Sequence, residues 1–195
     1  YRLALRREAI VSDLNTKFIV PGKTLSEISK LLREEDEEAY LVVSQKHIVF
    51  RISGYYVVSR LLEGDFLDYN AAIPKISKTT VKINTRSLTD SVERTSLLIS
   101  DRLRSPIRLV VTENKVQLSC STAMGKAHDE VDCEVSGEAV SMGFNNKYLL
   151  DALKASDCDM VKLEINGALS PMRMIPMEGD SFLFLVLPVR VKNDD

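Results

Sequence analysis

Residues 24–58 read TLSEISKLLREEDEEAYLVVSQKHIVFRISGYYVV, and two hydrophobic periods meet inside them. Thr24 and Glu27 stand in the T-x-x-E spacing of a capping box. Leu25, Ile28, Leu31 and Leu32 then recur at helical spacing. The acidic run Glu34 to Glu38 closes the helix as a solvated turn. Beyond it the period shortens. Tyr40–Val43, Ile48–Ile52 and Tyr55–Val58 are short β-rich runs, split by Ser44-Gln45-Lys46 and Ser53-Gly54. They read as an antiparallel meander.

Working outward, the same order returns downstream. A helix opening at Asn145 carries Tyr148, Leu149, Ala152 and Leu153. Strands follow at Val161–Ile165, Met172–Ile175 and Phe182–Val191, with turns at Asn166-Gly167 and Glu178-Gly179-Asp180. A shift of 122 positions lays Ile28 on Leu150, Leu31 on Leu153, Leu41 on Leu163, Val43 on Ile165 and Arg51 on Arg173. This is an internal repeat of domain size. Between the copies lie a strand at Thr80–Ile83, a helix from Ser87 to about Ile99, and strands at Ile107–Thr112, Val116–Ser121 and Val131–Val135. The second unit, 75–195, therefore holds two helix-plus-strands halves. The first, 1–74, holds only a later half and part of a leading one, so the parent protein is expected to continue upstream of Tyr1. The fold class is α+β.

The chain has 195 residues, 45% hydrophobic and 28% charged, which is a globular balance. No apolar stretch reaches the roughly 18 residues of a membrane span. The first residues, Tyr1 to Arg7, are too short and too charged for a signal peptide. Cys120, Cys133 and Cys158 are odd in number and lack CxxC spacing, so a reduced, cytoplasmic protein without a zinc site is expected. The net charge of −2 argues against a surface basic all over, but allows one basic face.

Catalytic signatures are missing. His47 and His128 form no HExxH or HxH pattern. There is no GxSxG, Walker-type or GxGxxG motif. Pro21-Gly22-Lys23-Thr24 lacks a glycine-rich lead and reads as a helix start. The carboxylates of Glu34–Glu38 and of Asp129, Glu130 and Asp132 fall at turns or strand edges. An enzyme on an α+β sandwich would need converging polar groups, and none is visible, so the chain is expected to bind rather than catalyse, without cofactor or metal.

Several segments resemble one family. Tyr1-Arg2-Leu3-Ala4 is similar to the (H/Y)RLA segment of the middle domain of bacterial DNA sliding clamps, the beta subunit of DNA polymerase III. Phe18 to Lys23 resembles its IVP-x-K helix start. Leu62-Glu63-Gly64-Asp65-Phe66-Leu67-Asp68-Tyr69 resembles L-x-(D/E)-G-x-(F/Y)-P-x-Y. Pro106-Ile107-Arg108-Leu109, Gly143-Phe144-Asn145 and Leu187-Pro188-Val189-Arg190-Val191 also fit, in family order. Two positions depart from the pattern, Leu67 for the usual proline and Leu187 for the frequent methionine, and both stay apolar. The resemblance implies a DNA-clamp fold, each domain a pair of helices packed on antiparallel β-sheets. Residues 1–74 would be the later part of the middle domain, and 75–195 the C-terminal domain.

The resemblance also implies a function: a polymerase processivity factor whose whole form is a head-to-tail homodimer ring around duplex DNA. Its partners would be the replicative polymerase subunit, the clamp loader, and repair polymerases and other replication proteins. A peptide-binding adaptor that does not encircle DNA is the alternative. The peptide pocket carried over by motif comprises Arg2, Leu3, Leu67, Asn145, Tyr148, Leu169, Pro171, Leu185, Leu187, Pro188, Val189 and Arg190. Leu185 and Leu187 alternate with Phe184, Val186 and Pro188, so one set should face the core and the other the surface. The DNA-facing cations would be Lys23, Lys30, Arg33, Arg86, Arg94, Lys147 and Lys154, with Arg102 and Arg104 just beyond the second helix. Leu97, Leu98, Asp129, Glu130 and Asp132 would meet the partner subunit.

Overall fold

The computed structural model describes residues 2–10, 15–33, 35, 38–99 and 105–191. In chain order the elements are β1 (Arg2–Arg6), α1 (Gly22–Leu31), β2 (Tyr40–Val43), β3 (His47–Ile52), β4 (Tyr55–Arg60) and a 3-10 turn at Tyr69–Ala72. Then follow β5 (Thr79–Asn84), α2 (Thr85–Ser96), β6 (Ile107–Val111), β7 (Lys115–Thr122), β8 (Gly125–Asp132), β9 (Glu134–Gly137), β10 (Val140–Phe144), α3 (Asn146–Ser156), β11 (Met160–Ile165), β12 (Met172–Pro176) and β13 (Phe182–Val186). They form two compact units: Tyr1–Ala9 with Tyr69–Asp195, and Ile10–Asp68. The division differs from a cut after residue 74, because β1 pairs with β13 from Arg2↔Val186 to Arg6↔Phe182.

The larger unit is built twice from one plan: a strand, a helix and a three-strand meander. The plan is β5-α2-β6-β7-β8 and then β10-α3-β11-β12-β13. The leading strand of each half joins the other half's meander, β5 on β11 and β10 on β6. The exchange locks the halves into one body. With β9 and β1 added at the edges, the sheets are β1-β13-β12-β11-β5-β9 and β10-β6-β7-β8. Strict alternation writes the buried face: Val81 and Ile83 on β5, Val116 and Leu118 on β7, Val161, Leu163 and Ile165 on β11. Helix α2 adds Leu88 and Val92, and α3 adds Leu149 and Leu153, to the same core. Both helices begin on asparagine. The Ser87 N–H donates to Asn84 Oδ1 at 2.9 Å, and the Tyr148 N–H to Asn145 Oδ1 at 3.3 Å.

The smaller unit, Ile10–Asp68, is a single helix on the meander β2-β3-β4. Its core is Ile28, Ile48, Phe50, Ile52 and Leu61. The β3–β4 turn is Ser53-Gly54, with φ of 46° and 81°. Two positive φ values in a two-residue loop suit the twist of a hairpin.

Four expectations are corrected. Thr24 and Glu27 form no capping box. Pro21 occupies the N-cap position with extended backbone, so Thr24 already lies inside the helix. Its hydroxyl meets that of Ser59 at 2.7 Å, and Glu27 pairs with Lys30. The second helix is Thr85–Ser96, beginning earlier than Ser87 and stopping before Ile99. The expected strand at Val131–Val135 is two strands, β8 and β9, and β10 was not foreseen. Lys126, His128, Glu130 and Asp132 point to solvent along β8, so little apolar signal marks it. The last strand ends at Val186 rather than Val191.

Candidate functional site

The chain leaves regular pairing after Val186. Pro188 has no N–H to donate to a ladder. Val189 then donates its N–H to the Gly143 carbonyl at 2.8 Å, an isolated antiparallel bridge to β10. The segment 187–191 thus passes from the end of one sheet to the edge of the other. Beside it opens a groove of about 450 Å³, walled by Arg108, Ser141, Gly143, Leu169, Val189 and Arg190. Leu169 is 82% exposed and Val189 42% exposed, so the groove presents aliphatic surface to water. Arg108 donates from Nε to Ser141 Oγ at 3.1 Å. Among the described residues neither Arg108 nor Arg190 has a carboxylate partner, whereas Arg2, Arg6, Arg7, Arg60, Arg86, Arg94 and Arg173 each have one.

The remaining expected pocket residues divide. Arg2 forms an ion pair with Asp151, and its guanidinium lies 4.9 Å from the centroid of the Tyr148 ring. That ties β1 to α3. The Asn145 side chain is occupied as the α3 cap. Leu3 is half-buried opposite Leu185 in the β1–β13 register. Leu185 is only 2% exposed, and Phe184 and Val186 are buried too. The alternation expected there therefore does not separate a core face from a surface face. Both faces of β13 are covered, and Leu187 is the first half-open position after it. Pro171 is half-buried just before β12. Leu67 belongs to the smaller unit, where it is 82% exposed.

Asp151, Ser141 and Gly143 were not anticipated as site residues, nor was Arg108. Only Gly143 carried a signal: a lone glycine in an apolar strand marks a close backbone approach.

The expected DNA-facing cations are solvent-accessible, but several are already matched. Lys30 pairs with Glu27 at 2.8 Å, Lys154 with Glu93 at 2.7 Å, Arg94 with Asp129 at 2.7 Å, and Arg86 lies 4.0 Å from Asp90. Hydrogen bonding to Glu93 pushes the Lys154 ammonium up, and hydrogen bonding to Lys30 pushes the Glu27 carboxyl down. Lys23, Arg33 and Lys147 are exposed. Arg102 and Arg104 lie outside the described residues.

At the expected subunit joint, Leu97 is 82% exposed just past α2, Leu98 is half-buried, and Ile99 packs on the core. Asp129, Glu130 and Asp132 lie on β8, which ends its sheet. Two of these carboxylates are satisfied within the chain, Asp129 by Arg94 and Glu130 by Lys115. Burial pushes the Asp129 carboxyl up, but the Ser91 hydroxyl, Arg94 and the Glu130 N–H together outweigh it, and the net shift is downward.

Among the described residues no three His, Cys, Asp or Glu side chains gather as a metal site, and no helix is long and apolar enough to cross a membrane. The three cysteines are free thiols.

Two family descriptions fit most of the chain: DNA polymerase III beta subunit, central domain, over residues 1–68, and its C-terminal domain over residues 70–190. The beta sliding clamp of Staphylococcus epidermidis is 33% identical over 193 residues, covering 97% of this chain and 51% of that protein. The chain thus spans about half the length of the curated relatives it matches. The crystal structure of a DNA polymerase III beta subunit from Eubacterium rectale has a TM-score of 0.90 at 32% identity, over 96% of this chain and 51% of that one. The DNA polymerase sliding clamp of Bacillus subtilis has a TM-score of 0.90 at 30% identity, over 98% and 52%. These likenesses establish the DNA-clamp α+β fold, and the chain belongs to the DNA polymerase III beta subunit family.

Proposed function

We propose that this chain works as part of a DNA sliding clamp, a ring around duplex DNA that tethers a polymerase and other replication proteins by short peptides. The observation that carries the reading is the groove beside the 187–191 segment. A strand broken at Pro188 leaves Leu169 and Val189 open to water next to Arg108 and Arg190. An extended peptide with aliphatic and aromatic side chains fits that chemistry. At about 1.5–3 kcal/mol for each fully buried large side chain, less ordering costs, two or three such residues give micromolar affinity. The role is binding, not catalysis, in the cytoplasm. In this reading residues 1–74 belong to the middle clamp domain, 75–195 form the last one, and Leu3 extends the peptide site.

The direct test is fluorescence anisotropy with a labelled Gln-Leu-Ser-Leu-Phe peptide. Micromolar, saturable binding is expected, and its absence at millimolar protein would refute the groove. On DNA, the 195-residue chain alone should show only weak, salt-sensitive affinity, with Kd on the order of 10⁻⁴–10⁻⁶ M. Tight retention of DNA by this chain at physiological salt would contradict a topological clamp. The carboxylate partners of Lys30, Arg86, Arg94 and Lys154 favour a second reading, a peptide-binding adaptor that does not encircle DNA. Retention of the whole gene product on circular but not linear DNA separates the two.

A further inference from the structure

We propose that Gly143 is the positioning residue of the peptide groove: its missing side chain is what lets the 187–191 segment lie as the groove wall. The inference rests on the groove being a peptide site, and it gives Gly143 a role through the segment packed against it.

Gly143 sits on β10, at the outer edge of the four-stranded sheet, paired with Arg108 on its inner side. On its open side, among the described residues, the edge receives one backbone partner, the N–H of Val189 at 2.8 Å. Pro188 offers no donor, and the ladder of β13 has already ended at Val186. That one backbone bond is therefore the fixed point of the segment. A Cβ added at Gly143 would lie 2.7 Å from the Val189 carbonyl oxygen, 3.6 Å from Val189 Cγ2, and against Val191 Cγ2. The first contact is to backbone, so no rotamer change relieves it. The whole segment must shift outward, moving the Val189 side chain that lines the groove. β10 itself has no reason to move, because Phe144 and Met142 on either side are anchored in the core. The substitution should therefore act on the groove rather than on the fold. Contrast Gly167, close to the exposed Leu169. A Cβ there meets nothing within 4 Å, and its φ of 119° makes it a backbone requirement instead of a packing one.

The experiment uses the full 195-residue chain, the labelled Gln-Leu-Ser-Leu-Phe peptide, and hydrogen exchange read at single amides. Gly143→Ala should weaken peptide binding at least tenfold and speed exchange of the Val189 amide. Circular dichroism and the thermal midpoint of the larger unit should stay close to the parent. Equal binding by parent and variant overturns the proposal, as does an unchanged Val189 exchange rate. If the parent itself does not bind the peptide, the groove reading has failed, and that failure is visible before any variant is made. If Gly143→Ala does not fold, Gly143→Ala with Val191→Ala, relieved of one contact, is held to the same criteria. Loss of fold in both would make Gly143 a residue of the fold and not of the groove, and would also overturn the proposal.

Discussion

The two units contain the same helix-plus-meander half, once in company and once by itself. In the larger unit α3 and β11–β13 share a core with α2 and β6–β8. In the smaller unit α1 and β2–β4 have no second half among the described residues. Equivalent positions of the repeat show what company does. Leu163 is fully buried, whereas Leu41, one repeat earlier, is 49% exposed. Leu153 of α3 is closed off at 1%, whereas Leu31, its equivalent in α1, is only half-buried. Nearly the same sequence pattern thus yields a full core or a thin one. The local pattern makes the elements, but the exchange of β5 and β10 between halves makes the domain.

The largest expected effect tests that contrast. Leu163→Ala should cost about 2–5 kcal/mol, because it opens a cavity in a closed core. Leu41→Ala should cost under about 1 kcal/mol, since much of the side chain is already in water. Urea denaturation with a probe in each unit measures both, and the smaller unit should melt first. Equal losses at the two positions would dissolve the comparison.

Next in size is the end of the chain. Deleting 188–195 removes Val189 and Arg190 from the groove and the bond to Gly143. Peptide binding should fall below detection while far-UV circular dichroism stays unchanged, because β13 already ends at Val186. Unaltered binding after the deletion would move the site elsewhere.

A third test turns on Leu97, which stands 82% exposed at the C-cap of α2. In the whole gene product, Leu97→Ala with Leu98→Ala should shift sedimentation from dimer toward monomer. A dimer that persists would take these leucines out of the joint.

The repeat was legible because it rests on hydrophobic period, which is local. The 122-residue shift places β2 on β11 and α1 on α3 within a few residues. Pro188 was legible for the same reason, since a missing donor is a property of one residue. What depended on distant partners was not. Thr24 looks like a cap until Ser59 appears beside it. Leu185 looks like a surface residue until β13 is seen covered on both faces. The partner of Arg2 lies on another element, at Asp151. Alternation tells which side chains share a face, and nothing about whether a second layer covers that face.

The smallest expected effect concerns Asp129, where two expected roles collide: Arg94 was assigned to DNA and Asp129 to the joint, yet they pair with each other at 2.7 Å. The Asp129 carboxyl is held below its ordinary value of 3.8 when folded. A group whose folded value is depressed stabilises the fold above its unfolded value, and loses that contribution as pH falls through the folded one. Asp129→Asn should therefore lower stability at pH 7 and make progressively less difference in acid, where the parent carboxyl is itself protonated. Arg94 is 59% exposed and solvent screens the pair, so the loss should be about 0.2–1 kcal/mol and shrink further in high salt. If Asp129 instead serves only a contact across subunits, the substitution will leave the urea midpoint of this chain untouched at every pH. The sign and pH dependence of that small difference thus show whether the bond inside the chain competes with the one proposed across the joint.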